Sequence, residues 1–226
     1  MTYYLWSWVL LFAAIAITIW AQARVSLTFN KFSKVPSEKG QAAALVARGI
    51  LDQNDLQHVE VQQVEGHLTD HYDPRQEVLR LSEAVYNDTS VAAISIAAHE
   101  AGHAVQHAQN YAPLTVRSAM VPVVNVASYA SWIFIIIGII FGALGLAQIG
   151  IVIFGAIIAF QLVTLPVEID ASKRALSFLS NGDYLYDYEV AQSKKVLSAA
   201  ALTYIAALLV SLLQMLRLIM IFGGRR

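Results

Sequence analysis

The chain has 226 residues, 57% of them hydrophobic and only 14% charged, with a formal net charge of −1. Soluble domains carry about 25% charged residues, so the composition points to a membrane protein, and the near-neutral charge leaves no electrostatic footprint for nucleic acid. There is no cysteine, which excludes disulfides and thiolate ligands and leaves His, Asp and Glu as the groups able to hold a transition metal.

Residues 1–23 contain no Asp, Glu, Lys or Arg. They read as a first transmembrane helix, because about 20 apolar residues cross a bilayer. A signal peptide is the competing reading; the lack of a positive n-region and the length of the apolar run count against it. Residues 24–117 form a polar stretch. Within it, residues 38–52 place Ala42, Ala43, Leu45, Val46, Ile50 and Leu51 at the spacing of an amphipathic helix. Residues 58–64 alternate as a strand around Val59, Val61 and Val64, and Asp73-Pro74-Arg75-Gln76 is a turn signal ahead of a second strand from Glu77 to Ser82. Asn87-Asp88-Thr89-Ser90 then offers N-cap residues for a helix over 91–109.

Residues 118–167 are again free of charge. One helix of that length would run about 75 Å against a hydrocarbon core of about 30 Å, so the segment must fold back. Gly142, Gly145, Gln148 and Gly150 suit the reversal, giving helices over 118–141 and 146–166. A shorter polar segment, 168–195, precedes a fourth span over 196–222. Four spans put both polar stretches on one side. Arg24, Lys31, Lys34, Arg117, Lys173, Arg174, Lys194 and Lys195 lie near helix ends there, against Arg217, Arg225 and Arg226 opposite. The positive-inside rule then assigns the polar stretches to the cytoplasm.

The helix over 91–109 carries His99-Glu100-Ala101-Gly102-His103. Residues four apart share a helix face, so the two imidazoles can grip one Zn²⁺, and Glu100 stands where a general base for hydrolysis is needed. His107 continues that face, but at about 12 Å from His99 along the axis it cannot join the same ion; it reads as a supporting or surface histidine. The third ligand must come from elsewhere. Glu168 is the first charged residue after the hairpin, and two His with one Glu is an established set for catalytic zinc. Asp170 is the competing ligand, or else it orients a histidine ring. His71, Tyr72 and Arg174 have the chemistry to stabilise an oxyanion, and nothing in the sequence selects among them.

These residues, with the hairpin and Leu165-Pro166-Val167-Glu168-Ile169-Asp170-Ala171-Ser172, resemble the neutral zinc metallopeptidases of bacterial membranes, the YugP-like family. The likeness extends to Asp70-His71-Tyr72-Asp73-Pro74 and to 196–204, and so covers nearly the whole chain. The chain also looks like a distant relative of the HtpX-type membrane proteases. The resemblance implies a gluzincin-type site with Glu168 as third ligand, on a membrane α-helical fold of about four transmembrane helices with a small α+β zincin-like domain, in the bacterial cytoplasmic membrane. The HtpX-like pattern has an Asp where Ser172 stands, which leaves the role of that Asp in question. By analogy with such folds, Val78, Leu79, Arg80, Leu81 and Ser82 would form an edge strand that pairs with an extended substrate.

The expected activity is a membrane-embedded zinc endopeptidase acting on membrane or membrane-proximal polypeptides. An intramembrane protease is one alternative; Gln106, His107, Gln109 and Asn110 after the pentad weigh against it, since polar groups in lipid are costly. A non-catalytic metal-binding scaffold is the other. Glu100 argues against that reading, because a closed structural site has no use for a base. Sequence specifies neither the oligomeric state nor the substrate.

Overall fold

The computed structural model describes residues 2–66 and 69–223. Arg225 and Arg226, counted in the charge reading above, lie outside them. The elements in chain order are α1 (Thr2–Phe32), α2 (Ala43–Gln53), β1 (Glu60–Val64), β2 (His71–Asp73), β3 (Val78–Ser82), α3 (Glu83–Tyr86), α4 (Val91–Ala108), α5 (Ala112–Ile140), α6 (Leu144–Asn181) and α7 (Asp187–Phe222). Among the described residues, four helices are long and apolar enough to cross a membrane: Leu5–Phe32, Ala112–Ile140, Leu144–Asn181 and Asp187–Phe222. The protein is a membrane α-helical protein with a small α+β part.

The chain divides into two compact units. One comprises Met1–Gln22, Thr115–Pro166 and Leu202–Arg226; the other comprises Ala23–Leu114 and Val167–Ala201. In the first, side chains such as Phe12, Val126, Phe141 and Val152 are exposed, as a lipid-facing surface requires. The reversal between α5 and α6 turns on Gly142, whose φ of +65° is the left-handed conformation that ends helices at low cost on glycine. Small residues bring α5 and α6 together. A Cβ on Gly150 would stand 2.7 Å from the Ser131 carbonyl oxygen, and one on Gly138 would stand 2.6 Å from the Ala147 nitrogen. The Ser131 hydroxyl donates to the Gly150 carbonyl at 2.9 Å. Close backbones and a bridging hydroxyl are how helices associate where water gives no hydrophobic drive.

The second unit is built around α4. Ser90 caps this helix, accepting from the Ala93 N–H at 3.2 Å, and Asp88 holds Ser90 in turn through its N–H (3.0 Å) and hydroxyl (2.8 Å). Ala93, Ile94, Ala97, Ala98, Ala101, Ala104 and Val105 are buried against Val46, Ile50 and Leu51 of α2 and Leu79 and Leu81 of the sheet. The alanine-rich face lets α2 approach closely. The helix expected over 38–52 begins at Ala43.

The three-stranded sheet has the order β1-β3-β2, with β1 parallel and β2 antiparallel to β3. This corrects the expectation for Val78, Leu79, Arg80, Leu81 and Ser82. They form the central strand: β1 pairs with all five, and β2 covers Val78, Leu79 and Arg80 on the other side, so these three have no edge to offer a substrate, and the Ser82 N–H is taken by Asp70 Oδ1. The strand that displaces them from the edge is β2, three residues long and too short to show a period in the sequence. The apolar helices also run past the charge-free segments. The hairpin expected as 118–141 and 146–166 is α5 from Ala112 and α6 to Asn181. Much of the polar segment 168–195 is therefore helical.

Candidate metal centre

Every side chain of the candidate site belongs to the second unit. His99 and His103 stand one turn apart on α4, their rings edge to face with centroids 4.7 Å apart. Glu168, on α6, is almost fully buried and directs Oε2 between them, 3.2 Å from His99 Nε2 and 3.5 Å from His103 Nε2. Donor atoms around a tetrahedral zinc with bonds of about 2.0–2.2 Å stand about 3.3–3.6 Å apart. The 3.5 Å separation lies within that range and the 3.2 Å one just below it, and one ligand atom from each of the three residues lies within 4.8 Å of the others. The set could hold a metal ion, and two imidazoles with one carboxylate suit zinc.

The helices can come this close because of Gly102. It lies between the two histidines, and a Cβ there would stand 2.9 Å from the Ala171 carbonyl oxygen on α6. Any side chain at this position would push α6, and Glu168 with it, away from the imidazoles.

The outer ring nitrogens are also engaged. His99 Nδ1 lies 3.3 Å from the Ser172 hydroxyl, and His103 Nδ1 lies 3.0 Å from Gln106 Oε1. A ring that donates from Nδ1 carries its lone pair on Nε2, the atom facing Glu168. Gln106 is fully buried, and its amide donates to the Val167 carbonyl at 2.9 Å and to Asp170 Oδ2 at 2.8 Å. Asp170 in turn is paired with Arg174. Asp170 bonds neither ring directly; its Oδ2 accepts from the Gln106 amide, whose oxygen faces His103 Nδ1. The Ser172 hydroxyl meets His99 Nδ1.

Burial pushes the His103 pKa down. The hydrogen bond to Glu168, the charges of Glu100 and Glu168, and the bond to Gln106 push it up and prevail, so it lies above the ordinary histidine value.

Glu100 is half-buried beside His99, and its Oε2 accepts the backbone N–H of Tyr72 at 3.0 Å. The outer edge of β2 is thus anchored on the acid of the pentad. The Tyr72 hydroxyl lies 2.9 Å from His107 Nδ1, a second tie between β2 and α4. Burial first, and then the charges of Glu77 and Asp73, raise the Tyr72 pKa to about 12, which keeps the phenol protonated.

The other two oxyanion candidates are engaged elsewhere. His71 is bonded through Nδ1 to the Thr69 carbonyl (2.8 Å), with Arg80 3.5 Å from its Nε2. Arg174 is bonded to Asp170 and Gln109 and lies over the Tyr111 ring. Sequence reasoning missed Gln106 and Ser172 as partners of the histidines. The only signal was position: Gln106 follows His103 by three, and Ser172 follows Glu168 by four, each on the same helix face as the ligand.

Comparison with known proteins supports the same chemistry. The family described as "Putative neutral zinc metallopeptidase" matches residues 7–223. The "Putative membrane protease YugP" of Bacillus subtilis (strain 168) is 48% identical over 214 residues, covering 95% of each chain. No solved structure matches.

Proposed function

The chain belongs to the neutral zinc metallopeptidase family, and from that premise we propose that it is a membrane-anchored zinc endopeptidase with Glu100 as its general base. The observation that carries this reading is the convergence of His99, His103 and buried Glu168 beside a carboxylate that ligates nothing. Zinc held by those three residues would polarise a peptide carbonyl and lower the pKa of water to about 7.

The protein's own part follows from the bonds around the site. Tyr72 N–H fixes one oxygen of Glu100 and leaves the other available. As water adds to the peptide carbon, the carboxylate takes its proton; as the C–N bond breaks, it returns that proton to the leaving amine. Ser172 and Gln106 hold the imidazoles in the orientation ligation needs. The Tyr72–His107 bond steadies β2, and with it the N–H that positions the base.

The substrate is polypeptide and the medium is the lipid bilayer. The site's residues all come from the polar unit, which favours cleavage at the membrane surface over cleavage within it. The cluster of Lys and Arg at the ends of the polar stretches supports a cytoplasmic site in the cytoplasmic membrane.

The test is Glu100→Gln, measured for zinc by elemental analysis and for cleavage of an unfolded, membrane-tethered polypeptide. The variant is expected to keep stoichiometric zinc and to lose about 10²- to 10⁴-fold in rate. An equally active variant would refute the assignment of the base. A zinc-loaded wild type that cleaves nothing would favour the non-catalytic scaffold.

A further inference from the structure

Helix α5 carries polar side chains on the face it turns away from the rest of the membrane unit. Its inner face, with Val124, Ala127, Ser131 and Ile135, is buried. The opposite face presents Ser118, Pro122, Asn125 and Tyr129, all exposed, at spacings of four, three and four residues. Tyr129 is 76% exposed. Asn125 and Tyr129 lie about 12 Å and 18 Å along the axis from Arg117, and about 22 Å and 17 Å from the helix end at Ile140. In a hydrocarbon core of about 30 Å both stand well inside, among acyl chains and not headgroups.

Polar groups at that depth need partners, and the chain itself supplies none. The Asn125 backbone carbonyl accepts from the Ser128 hydroxyl at 2.9 Å, but among the described residues nothing bonds the Asn125 amide or the Tyr129 hydroxyl. Both side chains are exposed, so a neighbour can reach them. Pro122, on the same stripe, has no N–H to give to the Ser118 carbonyl. An unpaired amide facing lipid is costly, and acyl chains cannot satisfy it. A second helix with a donor and an acceptor at the same depth can, because amide and hydroxyl side chains hydrogen-bond across helices in bilayers.

We propose that this stripe is the contact between two copies of the chain, paired through parallel α5 helices. Copies inserted in the same orientation pair about a two-fold axis along the membrane normal, which sets each residue against its own counterpart at equal depth. Such a contact must be complementary to itself, and this stripe is. An amide is both donor and acceptor, so the two Asn125 side chains can bond each other; a phenol is likewise both. Residues 118–167 hold no charge, so no like charges meet. The alternating spacing, continued by Ile136, is the seam of a left-handed helix pair, in which a single Asn fixes the register. A different protein would need a matching polar group at the same depth; a second copy has it by construction. The pairing goes beyond the peptidase reading and does not depend on it.

The test uses the full-length protein in vesicles of phosphatidylethanolamine and phosphatidylglycerol. The chain has no cysteine, so one introduced thiol reports one position. Ile136→Cys lies on the stripe; Val152→Cys lies on an exposed face of α6 and is the more exposed of the two positions. Under a membrane-permeant oxidant, Ile136→Cys is expected to form the disulfide-linked dimer about tenfold faster than Val152→Cys, because a disulfide needs Cβ atoms about 4 Å apart. Adding Asn125→Leu is expected to lower cross-linking about three- to tenfold, matching one interhelical polar contact. Asn125→Gln keeps an amide and should keep most of the cross-link. Asn125 is exposed, so its replacement by Leu should leave the monomer folded, which circular dichroism checks; the comparison of Ile136→Cys with Val152→Cys stands even if it does not. Equal rates at the two positions would overturn the proposal. So would a folded Asn125→Leu that cross-links as before, or, in native membranes, capture of Ile136→Cys by another protein in preference to a second copy. No step needs catalysis, so failure here is separable from failure of the peptidase reading.

Discussion

Gln106 is the residue on which the proposed metal chemistry can be tested away from the ligands. It is fully buried and makes three bonds: to His103 Nδ1 at 3.0 Å, to the Val167 carbonyl at 2.9 Å and to Asp170 at 2.8 Å. Gln106→Leu keeps the volume and removes all three. The Val167 carbonyl remains within a helix, and Asp170 keeps Arg174. The His103 N–H is left buried without an acceptor, which costs about 1–3 kcal/mol. The ring also loses the partner that fixes its orientation, a loss worth about 10- to 100-fold in metal affinity. Zinc affinity, measured by competition with a chelator in detergent, should fall by that factor, with a drop in denaturant resistance alongside it. Gln106→Glu separates the two effects. It keeps an acceptor for His103 but turns an acceptor towards Val167 and Asp170, so stability should fall while zinc affinity stays closer to wild type. Zinc binding by Gln106→Leu within twofold of wild type would refute the idea that this amide orients the ligand.

Three further outcomes are expected. Gly102→Ala puts a Cβ 2.9 Å from the Ala171 carbonyl; forcing α4 and α6 apart should cost about 1–3 kcal/mol and weaken zinc binding, and a variant as stable and as zinc-avid as wild type would disprove the tight helix contact. The His103 pKa is raised above its ordinary value, and a protonated imidazole cannot ligate, so apparent zinc affinity should rise with pH and level off only above about pH 6.5; chelator competition across pH 5–8 checks the direction. Tyr72→Phe removes the bond to His107 at a cost of about 1 kcal/mol. In the wild type, the phenol's pKa of about 12 means that no ionisation of Tyr72 should appear in the rate profile up to pH 10, and a limb there that disappears in Tyr72→Phe would contradict its buried setting.

How much of this was legible beforehand depended on whether a feature has a period or a charge contrast. The four apolar helices announce themselves because lipid excludes charge over about 20 residues. Their true ends do not, since a helix leaving the apolar run needs no change in backbone pattern: α6 continues through Glu168, Lys173 and Arg174 to Asn181 with nothing to mark the transition. The helix cap at Ser90 was readable because capping uses few residue types at a fixed offset. Strand β2 was not, and that single omission turned the central strand β3 into a supposed edge. The same contrast divides the metal centre. The two histidines reveal themselves by spacing, and Glu168 by being the first charge after fifty neutral residues. Gln106 and Ser172 belong to the commonest polar types, and what makes them partners of the imidazoles is the approach of α6 to α4.

That approach is itself written in the pentad, at the position its motif leaves free. Gly102 is one of the two unspecified residues between Glu100 and His103, and ligation asks nothing of its side chain. It is the absence of a Cβ there that admits the Ala171 carbonyl and so sets the distance from which Glu168 reaches both rings. The histidines supply donor atoms, whereas the glycine supplies the geometry that lets a residue 65 positions after His103 complete the set.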